Sequence, residues 1–208
     1  MKLDNYKVDS LECYVYADRE DMGKAAADKC ASFIKQLLFE KKEINMIFAA
    51  APSQNEMLNN LIKNADIEWN RIRAFHLDEY IGLDLDSPQS FGSFLYKTLF
   101  SKVDFKEVHY IYSKDMDSKE LCQRYDTLIR QYPPDIVCLG IGENGHIAFN
   151  DPHVAKFYDR QLVKVVDLDE KSRIQQVNDK CFKSLAEVPQ YAITLTIPAI
   201  MGGKYLIC

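Results

Sequence analysis

The stretch PPDIVCLGIGENGHIAFNDP, residues 133–152, carries the clearest structural signal in the chain. Its apolar run, 135–140, stands between two prolines and a glycine-rich segment. A short apolar run with such flanks is typical of a strand buried on both faces. The sequence therefore predicts a buried strand that leads directly into a polar, glycine-rich loop.

Outward from this strand, short apolar runs alternate with segments of helical periodicity. Strands are predicted at 44–51, 72–77, 108–112, 135–140, 162–166, 192–197 and 204–208. Helices are predicted at 18–41 with Asp18 as N-cap, and at 53–63, 90–100, 118–131 and 170–177. This alternation predicts an α/β fold, a three-layer Rossmann-like arrangement with a mostly parallel sheet and helices on both faces. Ligands of such folds bind beyond the carboxyl ends of the strands.

The bulk composition indicates one soluble globular domain. The chain has 208 residues, of which 47% are hydrophobic and 27% are charged, and its net charge is −5. A mildly acidic chain does not favour nucleic acid or anionic membranes as partners. The six cysteines form no C-x-x-C pair, and the polar N-terminus lacks a signal-peptide core, so we expect a cytoplasmic protein.

The last residues, 204–208, predict a buried strand that stops without a loop or polar tail. A buried strand rarely ends a domain so abruptly. We therefore expect residues 1–208 to form a single domain that lacks its C-terminal portion.

Two neighbouring carboxylates, Asp78 and Glu79, follow the strand predicted at 72–77. Adjacent residues of an extended chain face opposite sides, so only one of them is expected to point into a given cleft. A solvated loop after a strand is the structural alternative.

The loop after the strand at 135–140 contains His146, and histidine is the residue type most often used to transfer protons in catalysis. Asn144 and Asp151 lie close enough in sequence to orient its ring. The glycines alone are weak evidence for a dinucleotide site, because no acidic residue at the appropriate distance supports one. A histidine in a glycine-rich loop between amide and carboxylate groups favours a functional role over a structural one.

Two further segments suit an anion. Small residues at 49–55 lead from a strand into a helix N-terminus, where free N–H groups and the helix dipole attract negative charge. Arg173 has a planar guanidinium group, which can bind phosphate through two parallel hydrogen bonds. Taken alone, each also fits an ordinary role, as a helix cap at Ser53 and as a surface arginine. No histidine or cysteine spacing supports a metal site.

Together these segments resemble the glucosamine-6-phosphate deaminase family over almost the whole chain. Residues 75–83, FHLDEYIGL, are similar to the family's F-x-x-D-E-Y-x-G-L, and 90–95, SFGSFL, to its S-[YF]-x-x-F-[ML]. Residues 145–150 read GHIAFN, the most specific of its signatures. The related 6-phosphogluconolactonases typically show D-E-R and G-H-T-A-S-L at these places. Tyr80 and the Phe149-Asn150 pair therefore favour the deaminases.

The resemblance implies the fold of deaminases, ribose-5-phosphate isomerase and CoA transferases. It implies an ammonia-releasing, isomerising hydrolase of amino-sugar metabolism, N-acetylglucosamine catabolism included, that converts glucosamine 6-phosphate and water to fructose 6-phosphate. By resemblance, His146 opens the sugar ring, Asp78 moves the C1/C2 proton, and Asn144 and Asp151 are partners of the histidine. The implied substrate or phosphate contacts are Ala51, Ser53, Gln54, Glu79, Gly145 and Arg173. A sugar phosphate is the implied partner, with no organic cofactor or metal; a homo-oligomer is left open.

The chain departs from the family pattern at three places. Asn144 stands where the family has aspartate, Asp151 where it has glutamate, and residues 51–55, APSQN, where it has a T-G-G-T-P-like loop. A family lysine that holds phosphate would lie just after Cys208. Two alternatives stay open: a lactonase of the same fold, which hydrolyses an ester and needs no C2 base, and a non-catalytic sugar-phosphate sensor.

Overall fold

A computed structural model describes residues 1–112 and 115–208. The strands are β1 Lys2–Val8, β2 Leu11–Tyr16, β3 Ile44–Phe48, β4 Ile72–His76, β5 Asp78–Tyr80, β6 Glu107–Val108, β7 Ile136–Cys138, β8 Val163–Asp167, β9 Tyr191–Leu195 and β10 Tyr205–Ile207. The α-helices are α1 Arg19–Glu40, α2 Asn55–Ile62, α3 Phe91–Leu95, α4 Ser118–Gln131, α5 Glu170–Asn178 and α6 Ile197–Met201. Single turns of tighter helix precede α2, β4 and β9, and a π-helical turn, Tyr96–Phe100, extends α3.

The central sheet has five parallel strands in the order β10-β7-β3-β4-β6. Side chains of β3 alternate between its two faces: Ile44 and Met46 join one hydrophobic cluster with α1 and α2, and Ile47 joins the other with α4 and α6. The α/β prediction with a parallel sheet covered on both faces is confirmed.

A second sheet lies outside the central one. Strands β5, β9 and β8 pair antiparallel in the order β5-β9-β8, and Tyr80 and Val166 pack in a third cluster with Phe182. The strands predicted at 162–166 and 192–197 therefore exist, but they belong to this antiparallel sheet. Strand β5 directly follows β4, so the chain passes from one sheet to the other at Leu77.

The predicted helices form close to their expected limits, and side chains cap the starts of α1, α3, α4 and α5. Helix α2 begins without a side-chain cap, so the cap expected at Ser53 is not formed. The side chain of Asp18 accepts from the Asp21 N–H at the start of α1, as predicted. Asp117 and Glu120 form a capping box at α4. The N-terminal hairpin of β1 and β2 was not predicted. Its side chains are mostly exposed, so hydrophobic periodicity gives no signal there. Within the described residues, no helix is long and apolar enough to cross a membrane.

Candidate active site

One cavity opens at the carboxyl ends of β3, β4 and β7, which are adjacent strands of the parallel sheet. The carboxyl edge of a parallel sheet is the place where ligands of open α/β folds bind. The lining of the cavity comes from the segment after β3, the β4–β5 junction, the loop after β7 and the end of α5: Ala49, Ala50, Ala51, Pro52, Ser53, Gln54, Leu77, Asp78, Phe91, Gly140, Ile141, Gly142, His146, Ala148, Phe149, Gln175, Gln176, Asp179 and Cys181.

Asp78 lies in this cavity although it is only 7% exposed. Burial, together with the charge of Glu79 beside it, raises the pKa of Asp78 well above its ordinary value. The neutral form of a carboxyl group is favoured where water is excluded. Asp78 is thus a carboxyl group suited to accept and return a proton.

The main chain at Asp78 is held from behind by His76. The ring Nε2 of His76 accepts from the Ile111 N–H at 2.9 Å, which leaves Nδ1 to donate to the Asp78 carbonyl at 2.8 Å. Burial lowers the pKa of His76 to about 4, so its ring is neutral. Tyr125 fixes the same residue through its hydroxyl, which accepts from the His76 N–H and donates to its carbonyl.

Glu79 points the opposite way, as expected for neighbours in a strand. Its carboxylate accepts from the backbone N–H groups of Tyr80, Phe91 and Gly92 and so holds the N-terminus of α3. Burial raises its pKa to about 7, although these hydrogen bonds act in the other direction. The structure does not place Glu79 in the cavity, so the expected substrate contact is not supported.

His146 lies on the opposite wall, with its ring packed over Gly142. A Cβ on Gly142 would come within 2.2 Å of the ring, so only glycine leaves room for it. Gly145 adopts a φ of +85°, a conformation that favours glycine, and closes the turn with its N–H on the Gly142 carbonyl. Gly145 is therefore a turn residue outside the cavity lining, and its expected substrate contact is not supported.

Asn144 and Asp151 lie behind His146, as the sequence predicted. Asn144 Oδ1 is 2.6 Å from Nδ1 of His146, and the Asn144 amide donates to Asp151 at 3.0 Å. Asp151 Oδ1 is 3.3 Å from the same ring nitrogen. Since Nδ1 is occupied, Nε2 is the ring nitrogen free for substrate.

Ser172 of α5 completes this cluster and was missed by sequence reasoning. It is 1% exposed, and its hydroxyl contacts both His146 and Asp151. The only sequence signal was its position beside Arg173. Gln175, one turn later in α5, accepts from the Glu143 N–H at 2.9 Å and lines the cavity.

Arg173 is not brought to the cavity. Its Nη2 donates to the carbonyls of Leu185 and Val188 at 2.8 and 2.9 Å, which ties α5 to the turn before β9. The expected phosphate contact is therefore not supported, and Arg173 has a structural role here. Among the residues that the structure describes, the cavity lining includes no lysine or arginine.

Comparison with known proteins identifies the family. The model of the family described as glucosamine-6-phosphate isomerases/6-phosphogluconolactonase matches residues 17–207. The chain belongs to this family. Glucosamine-6-phosphate deaminase of Listeria innocua is 33% identical over 184 residues, which are 88% of this chain and 76% of that protein. The enzyme of the same name from Exiguobacterium sibiricum is 40% identical over 141 residues, 68% of this chain and 54% of that protein.

Solved structures agree with this membership. A monomeric glucosamine-6-phosphate deaminase superposes with a TM-score of 0.80 at 30% identity, over 91% of this chain and 77% of that one. The 6-phosphogluconolactonase of Thermotoga maritima has a TM-score of 0.71 at 23% identity, over 92% and 79% of the two chains. The second likeness supports the fold alone.

Proposed function

We propose that this family member is a glucosamine-6-phosphate deaminase, which converts glucosamine 6-phosphate and water to fructose 6-phosphate and ammonia. The observation that carries the proposal is that Asp78, after β4, and His146, after β7, line one cavity at the ends of the two strands that flank β3. The deaminases named above, at 33–40% identity, support the same reaction.

In the first step, His146 opens the pyranose ring. Its Nε2 takes the proton of the C1 hydroxyl and returns a proton to the ring oxygen, while the C1–O5 bond breaks and the C1 aldehyde forms. The partners on Nδ1 hold the ring for this exchange and place the charge of Asp151 near the transient imidazolium.

In the second step, Asp78 moves a proton between carbons. As a carboxylate it takes the proton from C2 while the substrate's own C2 ammonium group gives a proton to the C1 carbonyl oxygen, so that an enolamine forms. As an acid Asp78 then returns the proton to C1, which leaves a C2 iminium ion. The iminium ion adds water and releases ammonia, which leaves the ketone of fructose 6-phosphate. Burial and the charge of Glu79 raise the pKa of Asp78, which makes this carboxyl group a stronger base than an exposed aspartate and suits it to take and return a proton.

The phosphate is proposed to lie against the segment after β3. Ala51, Ser53 and Gln54 line the cavity there, with Gly140 on the facing side. In this position the main chain and two polar side chains would supply the hydrogen bonds, with the helix dipole of α2 favouring negative charge.

Because it consumes water and releases ammonia, the reaction would class the protein as a hydrolase of amino-sugar metabolism. We also propose a reducing, cytoplasmic location, which the six free cysteines support. A homo-oligomer stays a prediction, to be tested by light scattering.

The test is release of ammonia and fructose 6-phosphate from glucosamine 6-phosphate, with 6-phosphogluconolactone as the second substrate. Ammonia release with no lactone hydrolysis is expected. Lactone hydrolysis alone would contradict the deaminase and favour the lactonase. Binding of glucosamine 6-phosphate without turnover of either compound would favour a sensor.

A further inference from the structure

Ser172 joins the catalytic loop from a separate element. It lies in the first turn of α5, where its side chain is buried, and its Oγ is 2.9 Å from Nδ1 of His146. The same hydroxyl contacts Oδ1 of Asp151. The N–H of Asp169, the cap of α5, donates to the other Asp151 oxygen at 2.9 Å. The start of α5 is thus fixed to the carboxylate behind His146 at two points.

The donors and acceptors of this cluster determine which ring nitrogen carries the proton. An ionised carboxylate only accepts, so the Ser172 hydroxyl and the Asn144 amide N–H both donate to Asp151. This leaves the Asn144 Oδ1 and a lone pair of Ser172 Oγ facing Nδ1 of His146. Both are acceptors, so Nδ1 carries the hydrogen and Nε2 keeps its lone pair.

The carboxylate that anchors the cluster stays ionised. Burial by itself raises the pKa of Asp151, but hydrogen bonds with His146, Asn144 and Ser172 together hold that pKa well below its ordinary range. Two side chains therefore connect a buried negative charge with one ring nitrogen. Asn144 belongs to the loop of His146, whereas Ser172 is 26 residues away.

We propose that Ser172 is a positioning residue for His146, which with Asn144 holds the ring in the Nδ1–H form and couples it to the charge of Asp151. In this way two neutral groups, at 2.6 and 2.9 Å from Nδ1, support the longer contact of 3.3 Å between the Asp151 carboxylate and the ring. The expected effect of Ser172 on the reaction rate rests on the proposed deaminase function. Its expected effect on the tautomer of the His146 ring does not.

The placement of α5 extends this role to the cavity. Gln175 and Gln176 of the same helix line the cavity, and Gln175 also accepts from the main chain of the loop at Glu143. A substrate bound in the cavity would therefore contact the same helix, α5, whose Ser172 orients His146.

The test compares Ser172→Ala and Ser172→Cys, which lose the hydroxyl, with Ser172→Thr, which keeps it. The first readout is the ¹⁵N spectrum of the neutral His146 ring, assigned with the His146→Gln variant. In the wild type and Ser172→Thr we expect the Nδ1–H form alone. In Ser172→Ala and Ser172→Cys we expect a mixture with the Nε2–H form.

The second readout is the kinetics with glucosamine 6-phosphate. Loss of the hydroxyl should lower kcat about tenfold, the effect of one hydrogen bond to a charged group, with KM changed less than about twofold. Ser172→Thr should restore kcat. An unchanged ring tautomer in both Ser172→Ala and Ser172→Cys would overturn the proposal, whatever happens to the melting temperature Tm. If the wild type does not turn over this substrate, the spectra still decide the role of Ser172.

Discussion

The two walls of the cavity hold their reactive groups in different ways. The strand wall, residues 76–79, presents Asp78 from a buried strand end whose main chain is fixed by His76. The loop wall, residues 140–151, presents His146 from a turn held by glycines and side-chain hydrogen bonds. Burial raises the pKa of Asp78, whereas directed hydrogen bonds lower that of Asp151. The pKa on the strand wall is therefore set mainly by exclusion of water, and the pKa on the loop wall by specific hydrogen-bond partners.

The largest expected effect is on the strand wall. Asp78→Asn should lower kcat for ammonia release by roughly 10⁴-fold, the upper end for a general base, because no other group of the wall can take the C2 proton. The measurement is coupled assay of ammonia and fructose 6-phosphate.

Glu79→Gln is the matched control, since it removes the adjacent carboxylate that lies outside the cavity. It should lower Tm and cost less than about tenfold in kcat, as expected for a group that only anchors α3. Equal losses in the two variants would contradict the distinction between the two neighbouring carboxylates. Full ammonia release by Asp78→Asn would remove Asp78 as the base at C2.

On the loop wall, His146→Gln should lower kcat by roughly 10²–10⁴-fold. The loss is smaller than for Asp78 because the sugar ring also opens slowly without a catalyst. Supplying the variant with a high concentration of substrate over long times should therefore still yield ammonia. A loss below tenfold would remove His146 from the proton transfers.

The neutral ring of His76, behind Asp78, should make the free energy of unfolding depend on pH. The pKa of His76 is about 4 in the folded protein against an ordinary 6.5, so its contribution is complete above pH 6.5 and is lost as pH falls toward 4. The loss amounts to about 3 kcal/mol at most. Urea unfolding from pH 4 to 7 measures it.

Glu79 acts in the opposite direction over much of the same range. Its pKa is raised from 4.5 to about 7, so its contribution falls as pH rises from 4.5 to 7. The two effects are separated by comparing wild type with His76→Gln, which should lose the acid-side decrease. The same pH slope in both proteins would show that His76 is not held neutral.

The smallest effect is expected at Arg173, which binds the carbonyls of Leu185 and Val188 outside both walls. Arg173→Ala should change KM less than about twofold and lower stability by about 1–3 kcal/mol, because two carbonyls lose their donor. Arg160→Ala, at an exposed arginine, is the control. A tenfold rise in KM for phosphorylated sugars would return Arg173 to the substrate site.

The sequence predicted what depends on local pattern. Helix α4 was predicted at its observed limits, because capping and helical periodicity act within a few residues. His146 and its partners Asn144 and Asp151 were predicted because they lie within eight residues. Ser172 was missed because its contacts cross 21 and 26 residues of chain. The contacts of Arg173 with the carbonyls of Leu185 and Val188 were not predicted for a related reason, since residue type does not reveal which backbone carbonyls a guanidinium group contacts.

The most direct test of the two-wall account is the fate of hydrogen at C2. Glucosamine 6-phosphate deuterated at C2 should react with a primary isotope effect and transfer part of its deuterium to C1 of fructose 6-phosphate, since Asp78 takes and returns the proton in a buried site. His146→Gln should keep the deuterium transfer in its remaining turnover. Asp78→Asn should lose both the turnover and the transfer. Ammonia release without an isotope effect in the wild type and in His146→Gln, or transfer that persists in Asp78→Asn, would contradict the account.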